Sequence, residues 1–425
     1  MRYDTRANMK RPRTWIVLFT VLLDTLGIGI LVPILPQLLG NPLSPHYLLG
    51  PDVSPGGGYI LFGFLVATYP IMQFVATPVL GQLSDRYGRK PVLMFSLAGT
   101  ALGYALFAVG IILRSIPILF VARAMDGVTG GNISVAQAAI ADVTVPQDRT
   151  KNFGLIGAAF GVGFILGPFL GGVLANPSIV PWFNAATPFW FAAILASLNT
   201  LSVLLQFTET NEHIRRVPLD VARSLNNLAR AYAMPQLRPI FLTSFIFHAG
   251  FGFFISFFGL FLIHRFGFNE ARIGNFFAWV GVCAIFTQLV TTRRVAARFS
   301  EQQVLRVSLF GVSAVMAAYL LSPSPLWLFL IAPIGSSFNG LSLANMGGLL
   351  SRSVAPQVQG EILGIGSSIQ ALAQSLPPLC GGFVAASLTP ETPVLAAALT
   401  MFLAWVVFLW LYRPVRVPAP AAPQG

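Results

Sequence analysis

The feature that most limits what this chain can fold into is a succession of apolar runs, each about as long as the 20 helical residues that cross a hydrocarbon core. Twelve are read, at 15–39, 60–80, 92–113, 117–141, 153–175, 188–207, 239–262, 273–292, 304–321, 325–350, 358–388 and 391–412. Charged residues make up only 9% of the chain, against about 25% in soluble domains. A water-soluble fold of this length could not hide so much apolar surface. The expected fold class is therefore an all-α membrane protein with twelve transmembrane helices and a lipid bilayer as its solvent.

A net charge of +12 raises the question of nucleic acid, and the placement of the charges excludes it. With the N-terminus in the cytoplasm, 22 of the 26 Lys and Arg fall in cytoplasmic tails and loops. The opposite loops hold only Arg114, Arg265 and Arg272, and Arg123 lies within a span. This asymmetry predicts that both termini are cytoplasmic. The basic N-terminus runs into a full-length span, so no cleaved signal peptide is expected. Cys283 and Cys380 both fall in predicted spans, where small apolar packing residues are expected instead of a disulfide or a metal site.

The longest polar interval, 208–238, mixes Glu209, Glu212, Arg215, Arg216, Asp220, Arg223 and Arg230 with apolar residues. It reads as a cytoplasmic linker between a first six-helix bundle, 1–207, and a second, 239–425. Self-similarity supports the division. At an offset of 210, Pro146-Gln147 matches Pro356-Gln357, Gly154 matches Gly364, Pro168 matches Pro378, and Gly171-Gly172 matches Gly381-Gly382. Parallel repeats of this kind place a substrate cavity at the interface of the halves, near the bilayer midplane.

Between the second and third spans stands Gly81-Gln82-Leu83-Ser84-Asp85-Arg86-Tyr87-Gly88-Arg89-Lys90-Pro91. Its glycines permit a tight turn. Asp85 suits a helix N-terminus, and Arg86 suits a carboxylate, for which Asp142 at the end of the fourth span is the candidate. A generic basic stop-transfer loop is the plainer alternative, but the ordered acid and glycines disfavour it. The segment resembles the signature loop of the major facilitator superfamily. That resemblance implies a major facilitator fold of two pseudo-symmetric halves, and a latching role at the cytoplasmic gate for Gly81, Asp85, Arg86, Gly88 and Arg89. The counterpart Ala296-Ala297-Arg298-Phe299-Ser300 keeps the arginine and lacks the acid, so a latch there is expected to be weaker or absent.

The fifth span carries Gly157, Gly161, Gly163, Gly167-Pro168 and Gly171-Gly172, which reads as one stripe stripped of side chains for close packing. It also resembles the fifth-helix Gly-Pro motif of the drug/proton antiporter branch. Charge inside spans is costly, and so marks functional candidates. Away from the ends of the spans it is limited to Asp24 in the first and to Arg123 and Asp126 in the fourth. A carboxyl in a partly dry cavity can load and release a proton as hydration or a neighbouring cation changes, and Asp24 has no charged neighbour in its own helix. Arg123 and Asp126 share a helix face, as a structural ion pair or a coupling pair. The stretch Arg123 to Asn132 resembles the fourth-helix motif of proton-coupled major facilitators, whose arginine is implicated in proton transfer. Together these motifs look closest to the tetracycline efflux group. One departure is Gly103 before Tyr104, where those pumps carry an acid.

The remaining polar residues in the spans are mostly uncharged, and Asn132, Gln137, His248, Gln288, Asn339, Gln370 and Gln374 are the candidates for a substrate cavity. Gln370 and Gln374 share a helix face. His248 reads more simply as an interhelical hydrogen bonder. The many phenylalanines of the seventh and eighth spans suggest a weakly polar aromatic cavity, with most of them facing lipid or other helices. The leading expectation is a proton-driven antiporter expelling lipophilic or amphiphilic small molecules. A symporter or facilitator of a sugar or organic acid is the alternative. No metal, nucleophile or phosphate-binding motif appears, so neither an enzyme nor a cofactor is expected; the partners are a small molecule and protons. The expected setting is a monomer in a bacterial inner membrane.

Overall fold

In lipid every backbone N–H and C=O must be satisfied within the chain, so the apolar runs have little choice but to become helices. The computed structural model describes residues 14–144, 149–211, 219–220, 222–354 and 359–413. Pro146-Gln147, Pro356-Gln357, Glu212, Arg215 and Arg216 lie outside the described residues. The first half contains α1 (Thr14–Leu39), α2 (Pro55–Tyr87), α3 (Arg89–Ile112), α4 (Ile116–Thr129), α5 (Asn132–Val143), α6 (Arg149–Leu174) and α7 (Thr187–Gln206). After α8 (Arg223–Tyr232) come α9 (Arg238–Phe266), α10 (Glu270–Phe286), a π-helical turn (Thr287–Thr291), α11 (Thr292–Ala296), α12 (Glu301–Leu320), α13 (Pro325–Arg352), α14 (Gln359–Ser387) and α15 (Thr392–Leu411). Among the described residues ten helices are long and apolar enough to cross a membrane. The α4/α5 pair and the 29-residue α14 complete the twelve spans.

Local chemistry sets several boundaries. Ser54 caps α2 by accepting from the Gly57 N–H, with Pro55 at the first helical position. Gly88 ends the same helix at φ +100°, a conformation a side chain would strain, and its N–H reaches the Ser84 carbonyl. Ser300 and Gln303 form a reciprocal capping box on α12.

Two expected spans prove to be interrupted. The fourth breaks at Gly130-Gly131 into α4 and α5, where α2 approaches closely. A Cβ on Gly127 would lie 2.6 Å from the Tyr69 carbonyl oxygen, and one on Gly131 would lie 2.9 Å from Thr77 Cα. The eighth runs through the π-helical turn, where the Thr287 hydroxyl donates to the Cys283 carbonyl and meets the Ser337 hydroxyl at 3.1 Å. The linker interval also contains an element that its mixed composition concealed, the ten-residue α8. Leu228 and Ala231 of α8 pack on the core of the second half, while Arg223 and Arg230 face outward.

Within the first half α1 lies along α6, α2 along α4, and α3 along α7. In the second half α9 lies along α14 and α15, and α12 along α13 and α15. The halves meet through α2 against α14 and through α6 against α10. The second half has an aromatic core in which Phe254, Phe258, Phe276, Phe277 and Tyr319 pack against one another, mostly tilted or edge-on. These rings are buried, so this part of the phenylalanine set fills the bundle and lines no cavity.

Candidate functional site

The turn at Gly88 points Arg89, the first residue of α3, back across the end of α2. Its Nε donates to Asp142 Oδ2 at 3.0 Å, and its Nη1 donates to Asp85 Oδ1 and Ser84 Oγ, each at 2.6 Å. The pairing expected for Arg86 therefore belongs to Arg89. Arg86 instead lies over the Tyr87 ring, 5.3 Å from its centroid. Nor does Asp85 cap a helix: the free amides of α3 are taken by Glu209, whose two carboxylate oxygens accept from the N–H groups of Arg89 and Lys90 at 2.8 and 3.0 Å. A carboxylate there also complements the helix dipole. Glu209 was missed because its position against α3 depends on the chain's return after α7. A Cβ on Gly88 would fall 2.4 Å from that carboxylate, which is a second reason for glycine there. Gly81 is less demanding, with only the Ser134 hydroxyl within 4 Å of such an atom.

Arg89 is 7% exposed, so its two acids are not equivalent. Asp142 is 25% exposed at the side chain and Asp85 44%. Removing the partner of a buried charge is costly. Asp142→Ala is expected to lower stability in detergent by about 2 kcal/mol and Asp85→Ala by less than about 1 kcal/mol. Arg86→Ala should leave the melting temperature nearly unchanged, and thermal unfolding of the three variants checks the ranking.

The linker joins this loop to both halves. Gln82 exchanges two hydrogen bonds with the Asp220 backbone, accepting from its N–H at 2.7 Å and donating to its carbonyl at 3.1 Å. Asn227 of α8 donates to Ser368 of α14 at 3.1 Å.

Within the bilayer span, Asp24 faces α5. Asn132 Nδ2 donates to its Oδ1 at 3.3 Å, while Oδ2 is buried without a hydrogen-bond partner. Arg123 and Asp126 pair at 3.0 Å, both almost wholly buried, and the guanidinium lies over the Tyr69 ring at 4.6 Å. Arg123, Asp126, Gly103, Tyr104 and Leu31 border a crevice too narrow for a water molecule. The Tyr104 hydroxyl occupies the space a Cβ on Gly27 would take, so Tyr104 abuts α1 one turn beyond Asp24. At Gly103 a Cβ would sit 3.4 Å from that of Asp126, so the carboxyl in this space comes from α4.

The α6 glycines form two stripes instead of one. Gly163, Gly167 and Gly171 face α1, where added Cβ atoms would lie 2.5–2.7 Å from the carbonyl oxygens of Leu22, Leu26 and Ile30. Gly172 and the carbonyl of Pro168 face α10, while the Pro168 ring lies against Gly29 of α1: a Cβ on Gly274 would lie 2.5 Å from the Pro168 carbonyl oxygen, and one on Gly172 would lie 2.7 Å from that of Glu270. The same contact recurs between α2 and α14, where a Cβ on Gly63 would lie 2.3 Å from the Pro378 carbonyl oxygen and one on Gly382 would lie 2.8 Å from that of Tyr59. The sequence repeat thus marks the two seams between the halves.

Those seams are tight at the face opposite the signature loop. There Gln37 donates to the Phe268 carbonyl at 3.1 Å, His264 meets Tyr59 and the Gly40 carbonyl, and His46 approaches Glu270 at 3.8 Å. Toward the loop face the helices part: nothing lies within 4 Å of a Cβ on Gly157 or Gly364. Of the expected cavity residues, only Asn132 is brought to a charged group. Gln137, Gln288 and Gln370 are exposed, and Gln374 is half-buried. Asn339 has a buried carbonyl oxygen with no partner. His248 bonds within its own helix, to the Ser244 carbonyl at 2.8 Å, and among the described residues makes no interhelical bond of the expected kind.

A bundle of twelve spans in two halves, sealed at one face and parted at the other, defines a polytopic transporter. The family model of the Major Facilitator Superfamily matches residues 17–376 and 240–425. The class H tetracycline resistance protein of Pasteurella multocida is 34% identical over 87% of this chain and 88% of its own. The class C protein of Escherichia coli is 32% identical over 95% of each. A bacterial homologue of the human lysosomal transporter Spinster, solved inward-facing and occupied, superposes with a TM-score of 0.75 at 14% identity over 95% of this chain and 97% of its own. The chain belongs to the Major Facilitator Superfamily, within the group of the tetracycline resistance proteins.

Proposed function

We propose that this multi-pass membrane protein is a proton-coupled efflux antiporter, which exports lipophilic or amphiphilic small molecules, multidrug or tetracycline-like, from the cytoplasm. The observation that carries the reading is Asp24, whose Oδ2 is buried without a hydrogen-bond partner. A proton can join that oxygen without breaking an existing bond. Of the two carboxyls away from the ends of the described spans, Asp126 already has a cation in Arg123, which leaves Asp24 as the one with no fixed counter-charge. The tetracycline resistance proteins among its relatives, and a 28% identical multidrug resistance protein of Bacillus subtilis, support a drug as cargo.

On this reading the signature-loop face is cytoplasmic in a bacterial inner membrane, which the excess of Lys and Arg on that side supports. The parted helices then admit cargo from the cytoplasm while the opposite seam excludes the far side. Asp24 gives up its proton as cargo binds, and a proton entering from the far side resets it. No other cofactor is needed.

The test is wild-type protein in inside-out proteoliposomes under an inward-acid gradient, with intravesicular pH followed as lipophilic cations and neutral drugs are added. Proton release on addition of some of them is the expected result. Entry of compounds only to the outside concentration, with no proton movement, would replace antiport by facilitated diffusion.

A further inference from the structure

At the face opposite the signature loop, the first turns of α10 and α13 leave a recess of about 400 Å³ lined by Phe268, Arg272, Asn275, Pro325 and Phe329. Three arginines stand at that face, Arg114 in a loop and Arg265 and Arg272 at helix ends, and two are engaged. Arg114 donates to the Tyr47 carbonyl, and Arg265 pairs with Glu391 at 3.1 Å. Among the described residues the exposed Arg272 side chain has no hydrogen-bond or ion-pair partner, although its backbone N–H is capped by Asn269. Glu270, the nearest carboxylate in sequence, is turned toward His46.

Both helices are membrane spans, so their first turns set the depth of the recess. Arg272 is about 3 Å along α10 from its start, while Asn275 and Phe329 lie roughly 6–8 Å along their helices. The recess therefore has its cation near headgroup level, with Phe268 and Pro325 at its rim and Asn275 and Phe329 a turn deeper. Trp279 donates its indole N–H to the Phe329 carbonyl at 2.9 Å, and Trp327 is half exposed nearby, as befits a membrane interface.

We propose that this recess binds an anionic phospholipid of the adjoining leaflet, with its phosphate on Arg272 between Phe268 and Pro325, its ester region at Asn275 and one acyl chain leading inward past Phe329. A zwitterionic lipid fits less well. Its ammonium group adds a second positive charge beside Arg272, and the one nearby carboxylate is directed to His46. The bound lipid would also touch the seam between the halves, because the Phe268 carbonyl accepts the Gln37 hydrogen bond.

The experiment is native mass spectrometry of the purified full chain, delipidated and titrated with phosphatidylglycerol or phosphatidylcholine of matched chains. One basic residue near an anionic headgroup predicts about a fivefold preference for phosphatidylglycerol. Arg272→Gln should abolish the preference, and Arg272→Lys and Arg114→Gln should keep it, all with wild-type melting temperatures. Millimolar glycerophosphate should not displace the lipid. Equal binding of the two lipids by the wild type, an undiminished preference in Arg272→Gln, or displacement by glycerophosphate alone would overturn the proposal.

Discussion

Replacing Asp24 by Asn should reduce compound-driven proton release from proteoliposomes by roughly a hundredfold, the scale on which a positioned acid–base group acts. The substitution is nearly isosteric, and its amide oxygen can still accept from Asn132, so the α1/α5 contact survives. What is lost is an oxygen that can gain and release a proton. Melting temperature and binding of a fluorescent cargo should stay close to wild type while coupled flux disappears. Asp126→Asn is the informative comparison. It leaves the buried Arg123 without its counter-ion, and so should lower stability as well as flux, by about 3 kcal/mol in thermal unfolding. Unimpaired proton release in Asp24→Asn would show that another group carries the proton.

Much of the architecture was legible because lipid leaves so few alternatives. Apolar length alone placed the spans, and the Gly and Pro coincidences at an offset of 210 located residues that prove to lie at equivalent seams, Pro168 against Gly274 and Pro378 against Gly63. The signature segment was legible as the junction of two spans, but neither its helical extent, with α2 running to Tyr87 and α3 resuming at Arg89, nor its pairing was. Arg86 and Arg89 stand three residues apart, and the direction in which Gly88 releases the chain decides which of them meets Asp142. Spacing carries no information about that direction. The contribution of Glu209 depends on how the chain returns after α7, and α8 was obscured because its charged face and its short buried face average to a polar interval. The glycines of α6 read as one stripe because neighbouring positions on a helix blur in sequence. Their two stripes appear only when α1 and α10 are set on either side.

That division of the glycines predicts two different failures. Gly63 and Gly274 face carbonyl oxygens across the seams, Gly63 that of Pro378 and Gly274 that of Pro168, whereas Gly167 meets the Leu26 carbonyl inside the first half. Alternating access moves one half against the other and leaves each half internally intact. A side chain at a seam therefore penalises only the state in which that seam is closed, whereas one at Gly167 penalises every folded state. Overpacking of this size costs about 1–3 kcal/mol. Gly63→Val and Gly274→Val should then shift the equilibrium away from the sealed state by about five- to a hundredfold. The measurement is maleimide labelling of Leu260→Cys, a fully buried position beside Gly40 in the seal, with Cys283 and Cys380 replaced by Ala. Labelling should rise by that factor in both seam variants at unchanged melting temperature, and transport should fall because the sealed state is part of the cycle. Gly167→Val should do the reverse, lowering the melting temperature while leaving Leu260→Cys as protected as before. If all three variants simply unfold, the seams are as integral to stability as the α1/α6 contact, and the halves do not separate along them.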